Sequence, residues 1–380
     1  MTSNPTFLMV INDMAWFWSH RLPLAKAVQG EGFTLHLAAA AAGSDLRVKE
    51  AGVIPHDLPA SARGVNMFKH LAIVLGIAKT IRCVRPDIIH AMTVRYALYT
   101  ALAARMAGGK EPLVFTIAGL GTLFTHKTLK SRLIRLGVLP LLRFAFSREN
   151  VFLIFQNRDD RRLILEAGIV REDRTEVIRG SGVNLSEFPF SQEEEETDAP
   201  PKILFASRLL KEKGICDFVE AARLLKAGGV AARFQVAGSV DAGNPHSIAR
   251  AEIEGWEKEG LIEWLGQCRD MPETLRASTM VVLPSYYGEG VPKVLLEAAA
   301  TGRAIITCDM PGCREAVEQD VNGLLVPPKD PESLAAAIAR LLDDSVLRKK
   351  LGVAGRRRVE EDFNVESVNA QTLAVYHRVL

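Results

Sequence analysis

Eleven short apolar runs, each four or five residues long, constrain this chain more than any other feature. Residues 7–11, 33–37, 87–90, 112–116 and 151–155 form one series; 202–206, 233–237, 261–264, 280–283, 304–307 and 323–326 form another. They are rich in Val, Ile, Leu and Phe and do not alternate with polar residues. A strand with one wet face alternates, whereas a strand covered on both faces reads as a continuous apolar run, as in a parallel sheet. Helix-length segments separate the runs, so both series predict doubly wound βα units, an α/β class.

At 380 residues the chain exceeds one ordinary core and predicts two domains. The division is expected at residues 191–201, where four consecutive Glu, an Asp and two Pro have nothing to bury. The expected layout is a first Rossmann-like domain over 1–190 and a linker over 191–201. A second Rossmann-like domain covers 202–365, and a final helix covers 366–380.

Residues 1–5 are polar and 6–11 only strand-length, unlike a secretory signal, and no run reaches about 18 uninterrupted apolar residues. The five scattered cysteines make a poor zinc or disulfide pattern and read as reduced, mostly buried thiols of a cytoplasmic protein. The net charge of +2 hides an asymmetry: residues 1–170 carry 21 Lys and Arg against 11 Asp and Glu, and the remainder carries 26 against 34. A basic first half fits an anion or an anionic surface, although two differently solvated surfaces explain the numbers as well.

Gly119-Leu120-Gly121 follows a strand as a dinucleotide fingerprint does, but Phe124 stands where a third glycine belongs. Hydride transfer is therefore not expected. The two glycines still let backbone approach a ligand at the strand ends.

Residues 284–297 carry the stronger signal. A strand ends, a loop bearing Glu289 follows, and Pro292 suits the first position of a helix. The amides of Gly290, Val291 and Lys293 then project from a helix N-terminus, which favours a diphosphate. Glu297, five residues past Pro292, is placed to accept hydrogen bonds from a ribose diol, and Glu289 from sugar hydroxyls. Upstream, Arg208 and Lys213 follow another strand and reach for phosphate, and Gly214 eases the turn into the next helix. Gly238 leaves room at a third strand end.

The Arg-x4-Lys pair, the Glu-x7-Glu pair and the downstream Gly302, Pro311-Gly312, Glu315, Asn322-Gly323 and Pro327 resemble the retaining glycosyltransferases of family 4, of GT-B fold. Ser19-His20-Arg21 and the Gly119–Gly121 loop resemble the PglA-like subgroup, N-acetylgalactosaminyltransferases acting on undecaprenyl-diphosphate-linked sugars. The resemblance implies two Rossmann-like domains facing a cleft and a final helix packed on the first. It implies that Arg208 and Lys213 hold the donor diphosphate, Glu289 the transferred sugar and Glu297 the ribose, with Gly266 and Gln267 near the base. Ser19, His20, Arg21, Gly119 and Gly121 would serve the acceptor, a polyprenyl-diphosphate-linked saccharide. A UDP-sugar would be co-substrate, with neither cofactor nor metal; nucleic acid is not an expected partner. One departure is Ala118, which stands where many members place a sugar-facing His.

Two rivals stay open: a GT-B nucleotide-sugar 2-epimerase, which needs no acceptor, and a non-catalytic nucleotide-sugar-binding protein. Three adjacent aromatics, Trp16, Phe17 and Trp18, cannot all face inward, so one is expected to line a site or meet lipid. Residues 127–148, with Lys127, Lys130, Arg132, Arg135 and Arg143 among apolar residues, read as an interfacial helix or a buried helix with a charged edge. The expected location is the inner face of the cytoplasmic membrane, held by anionic lipid.

Overall fold

The computed structural model describes residues 4–60, 66–121, 129–192, 199–241 and 243–380, with only the backbone of 129–136. Phe124, Lys127 and the run of four glutamates lie outside the described residues, as do the side chains of Lys130, Arg132 and Arg135.

The chain forms two compact units, residues 1–181 with 367–380, and residues 182–366. The first contains β1 (Thr6–Val10), β2 (Thr34–Ala40), β3 (Ile54–Leu58), β4 (Ile88–Met92), β5 (Leu113–Ile117), β6 (Val151–Phe155) and β7 (Thr175–Val177). They pair in the order β3-β2-β1-β4-β5-β6-β7, every neighbour parallel. The second contains β8 (Lys202–Ala206), β9 (Arg233–Ala237), β10 (Glu263–Gly266), β11 (Met280–Leu283), β12 (Ala304–Cys308) and β13 (Leu324–Val326). Their order is β10-β9-β8-β11-β12-β13, again all parallel.

The central strands are buried along their whole length, which explains their unbroken apolar sequence: β4, β5, β6, β11 and β12 have no exposed residue. In each sheet the strand order reverses beside the first strand, between β1 and β4 and between β8 and β11. Ligands of doubly wound sheets bind at such switch points, outside the carboxyl ends of the strands.

Four sequence expectations are corrected. The division between units falls after Ser181, not near residue 190. The stretch up to 201 belongs to the second unit because Val183 pairs with Asn364, Phe188 is core and Arg303 holds the Ser191 carbonyl. The edge strands β3 and β7 were not legible: β3 carries Pro55, His56 and Asp57, which only an edge tolerates. The strand expected at 261–264 begins two residues later, because Leu261 and Ile262 are buried before β10 starts. Of the cysteines, Cys308 and Cys313 are buried, whereas Cys83 and Cys216 are exposed.

The last helix, Val365–Val379, lays Val368, Val375 and Tyr376 into the core of the first unit, where Tyr376 meets Phe7 edge-on at 5.0 Å. Among the described residues no helix is long and apolar enough to cross a membrane.

Candidate active site

In the second unit, two loops meet at the switch point: residues 207–214 after β8 and 284–292 after β11. They touch backbone to backbone. Tyr286 N–H donates to the Glu212 carbonyl at 3.0 Å, and the Ser285 hydroxyl lies 3.5 Å from the same oxygen. Gly214 is required here, since it has φ +80° and a Cβ would fall 2.1 Å from the Pro284 carbonyl.

This contact brings together two residues 76 positions apart. The Lys213 ammonium donates to Glu289 Oε2 at 2.5 Å, and the Ser285 hydroxyl donates to Glu289 Oε1 at 2.8 Å. The Lys213 and Glu289 side chains are only 10% and 17% exposed, so the pair is shielded from water. Tyr287 lies under the ammonium at 5.9 Å. Ser285, which orients Glu289, was not singled out from sequence, and a lone serine at a strand end carries no signal of its own.

Arg208, Gly238, Gln267 and Glu297 line a cavity of about 260 Å3 with Ser207 and Val294. Arg208 is exposed and, among the described residues, pairs with no carboxylate. Glu297 lies in the helix Lys293–Ala300 with its carboxylate 3.2 Å from Lys293 Nζ. Burial pushes the Glu297 carboxyl above the usual range, and Lys293 partly offsets this. Gly266 supports the cavity from behind: its carbonyl accepts from Gly238 N–H at 2.7 Å.

Pro292 occupies the cap of the helix, one residue before the expected first turn. Among the described residues the amides of Gly290 and Val291 donate to no protein acceptor. Gly312 packs against this turn so closely that a Cβ would lie 1.9 Å from the Gly290 carbonyl. Two groups of the expected donor site therefore stand side by side. Arg208 and Glu297 face a cavity, and Lys213 and Glu289 form a shielded pair in the adjoining loops.

In the first unit, the edge at the β1–β4 switch point holds the residues expected to serve the acceptor. Ser19, His20 and Arg21 fall in a wide helical turn, Phe17–Arg21, of the rare i→i+5 kind often found at functional sites. Ser19 Oγ and His20 Nδ1 are 2.7 Å apart, and the His20 ring stacks on Trp16. Arg21 lies 4.7 Å over the same ring; it is buried, and burial lowers it to about 10. Its Nε and Nη2 have no partner among the described residues.

Of the three adjacent aromatics only Phe17 is fully buried; Trp16 and Trp18 are half-buried. Phe17 is core, Trp16 is covered by His20 and Arg21, and Trp18 by Arg47 while donating to Asp45 at 2.7 Å. None of the three is exposed.

Gly119 and Gly121 have φ +97° and +66°, so both use the left-handed freedom that glycine allows. His90, one strand from Ala118, does not stand in for the absent histidine. It is fully buried, with its ring nitrogens 2.5 Å from Tyr376 OH and 2.8 Å from Thr116 Oγ1. Burial holds it neutral, far below the ordinary imidazole range.

Asp160, not anticipated from sequence, anchors the glycine loop: it accepts from the Leu120 amide and from Asn157 Nδ2 at 2.8 Å. Burial raises its carboxyl from 3.8 to about 6. A raised folded-state value contributes stability at low pH that is lost as pH rises through the window from about 4 to about 6. Asp160→Asn removes this titration. Relative to the parent, its unfolding free energy should rise by up to about 3 kcal/mol between pH 3.5 and 7.5. Denaturant titrations at both pH values measure the gap, and a gap independent of pH refutes the assignment.

A cavity lined by Arg208 and Glu297 lies at the switch point of the second parallel sheet, where ligands of doubly wound α/β proteins bind. Residues 200–344 match the family described as "Glycosyl transferases group 1", and residues 9–157 match "Glycosyl transferase 4-like". The chain is 29% identical over 378 residues, 96% of each protein, to the N,N'-diacetylbacillosaminyl-diphospho-undecaprenol alpha-1,3-N-acetylgalactosaminyltransferase of Campylobacter jejuni. It is 25% identical over 352 residues, covering 90% of this chain and 88% of the relative, to the UDP-Gal:alpha-D-GlcNAc-diphosphoundecaprenol alpha-1,3-galactosyltransferase of Escherichia coli. Sucrose-phosphate synthase from Thermosynechococcus elongatus superposes with a TM-score of 0.79 at 20% identity, covering 99% of each chain. HepE of Anabaena, crystallised with UDP, gives 0.75 at 18% identity, covering 98% of this chain and 99% of that one. The chain belongs to the glycosyltransferases of GT-B fold, with a 4-like first domain and a group 1 second domain.

Proposed function

We propose that the protein is a retaining glycosyltransferase of family 4. It moves a sugar, an N-acetylhexosamine such as GalNAc, from a UDP-sugar to a polyprenyl-diphosphate-linked saccharide during bacterial glycan assembly. The observation that carries the donor half is the gathering of Arg208, Lys213, Glu289 and Glu297 at one switch point. Similarity along nearly the whole length of a transferase named for an undecaprenol-linked acceptor supports the other half.

In this reading the diphosphate lies on Arg208, Lys213 and the Gly290 and Val291 amides. Glu297 takes the ribose diol and Glu289 the sugar hydroxyls, with Lys213 and Ser285 fixing its orientation. Retention requires the acceptor hydroxyl to attack the anomeric carbon on the face the nucleotide leaves. The new C–O bond forms as the bond to the β-phosphate oxygen breaks, and that oxygen takes the hydroxyl proton. Charge building on the leaving diphosphate is met by positive groups already in place, the effect that dominates such transfers. These basic groups take the part a metal ion plays elsewhere. The protein works at the inner face of the cytoplasmic membrane.

Mass spectrometry of products from UDP- and GDP-sugars, with and without a polyprenyl-diphosphate saccharide, tests this. The acceptor should gain one N-acetylhexosamine from a UDP-sugar, undiminished by EDTA. A sugar altered with donor alone points to epimerisation, and no product from any pair refutes catalysis. Loss in EDTA with rescue by magnesium removes the metal-free route.

A further inference from the structure

The helix Met67–Val84 is apolar on two sides. Ile73, Val74, Ile77, Ala78 and Ile81 enter the core of the first unit. Yet Met67, Phe68, Leu71 and Leu75 are 74%, 86%, 50% and 47% exposed. Spacings of three and four place Phe68, Leu71 and Leu75 on one helical face, with Met67 beside them. A surface helix ordinarily turns one apolar stripe inward, and a second, solvent-facing stripe marks a surface that something covers.

Charge selects what covers it. Residues 57–111 contain eight Lys and Arg against three acids, Asp57, Asp87 and Glu111, and the Asp57 carboxylate accepts from the Gly43 amide at 2.8 Å. Asp87 accepts from the Thr6 amide at the amino end of β1, the far edge of the sheet. The helix carries no acidic residue; exposed Lys69 flanks the stripe, and exposed Arg95 opens the following helix, Val94–Ala107. A second copy would set like charges against each other, whereas an anionic bilayer satisfies both the cations and the apolar side chains.

Position completes the case. The helix leaves the carboxyl end of β3 and returns to the amino end of β4. Its first half therefore lies at the carboxyl edge of the sheet, which also carries Ser19, His20 and Arg21, although that turn packs on the opposite face.

We infer that the first half of this helix is the face by which the protein docks on an anionic lipid bilayer, Phe68 and Leu71 entering the interface. The inference rests on the proposed lipid-linked acceptor, and it places docking on this helix rather than on residues 127–148.

Co-sedimentation of the full chain with phosphatidylcholine vesicles, with and without phosphatidylglycerol, tests it. The parent should bind the anionic vesicles and release as salt rises. The double variant Phe68→Ser, Leu71→Ser should bind roughly tenfold less. Its UDP affinity and its transfer to a water-soluble, short-chain acceptor should be unchanged. Lys130→Gln, Arg132→Gln, Arg135→Gln should bind as the parent does.

Equal binding by parent and double variant overturns the assignment, as does absence of binding by the parent. A parent dimer that the double variant dissolves, with vesicle binding intact, gives the face to a second copy and also overturns it. The short-chain acceptor separates the two readings: no transfer there defeats the proposed reaction, whatever the vesicles show.

Discussion

Lys213→Ala should lower kcat/KM for glycosyl transfer by about two to three orders of magnitude and weaken the second domain as well. The ammonium sits 2.5 Å from Glu289 with both side chains largely out of water. Removing one preorganised positive group from a developing anion costs about 3–4 kcal/mol of transition-state stabilisation. Removing one partner of a buried pair also leaves the other charge uncompensated, at about 3–5 kcal/mol. Arg208→Ala separates the two effects. Arg208 is exposed and, among the described residues, pairs with no carboxylate, so its loss should slow transfer comparably and leave stability unchanged. Steady-state kinetics and denaturant titration of both variants decide the matter. Near-normal turnover in both would remove the donor site proposed above, and equal stability of the two would show that the Lys213–Glu289 pair carries no structural weight.

The second large effect is expected at Gly238. Its φ of +152° is a conformation that side chains rarely adopt, and a Cβ would lie 1.9 Å from the Ser207 carbonyl. The peptide cannot shift to relieve this. Its N–H donates to Gly266 at 2.7 Å, and its carbonyl accepts from Trp264 Nε1 at 3.0 Å. Backbone strain of about 1–3 kcal/mol and overpacking of similar size add in Gly238→Ala. The variant should lose about 2–5 kcal/mol and bind UDP weakly, since Ser207, Arg208 and Gly238 line one cavity. Gly266→Ala is the control. Its φ is +66° with nothing within 4 Å of a Cβ, so only the left-handed strain applies, about 1–2 kcal/mol. Calorimetry and UDP titration compare them, and equal melting of the two would contradict the close approach described here.

The residues that bind the proposed donor were legible because each sits at the end of a legible strand. β8 and β11 are continuous apolar runs, and the polar or glycine residues that follow them in sequence must lie at their carboxyl ends. What lies across from what was not legible. Lys213 and Glu289 are 76 residues apart, and only the pairing of β8 with β11 makes their loops neighbours.

The same limit governs the errors. The acidic stretch around 193–198 reads as a linker, but the flanking Phe188 and Ser191 are held by the second domain's own core and by Arg303. Arg21 reads as an acceptor residue, and nothing in its neighbours along the chain says that its guanidinium is buried against Trp16. Helix Met67–Val84 is apolar on two sides, and nothing in its order of residues says that Ile73 and Ile77 are covered while Phe68 and Leu71 are not.

By itself, then, the sequence determined the two parallel sheets and the strand ends that bear the proposed donor residues. Strand burial and turn formation depend on side chains close along the chain. Tertiary structure alone decided the edge strands, the domain boundary, the buried ion pair and the exposed stripe. Each depends on what covers a given face, and the covering residues come from distant parts of the chain.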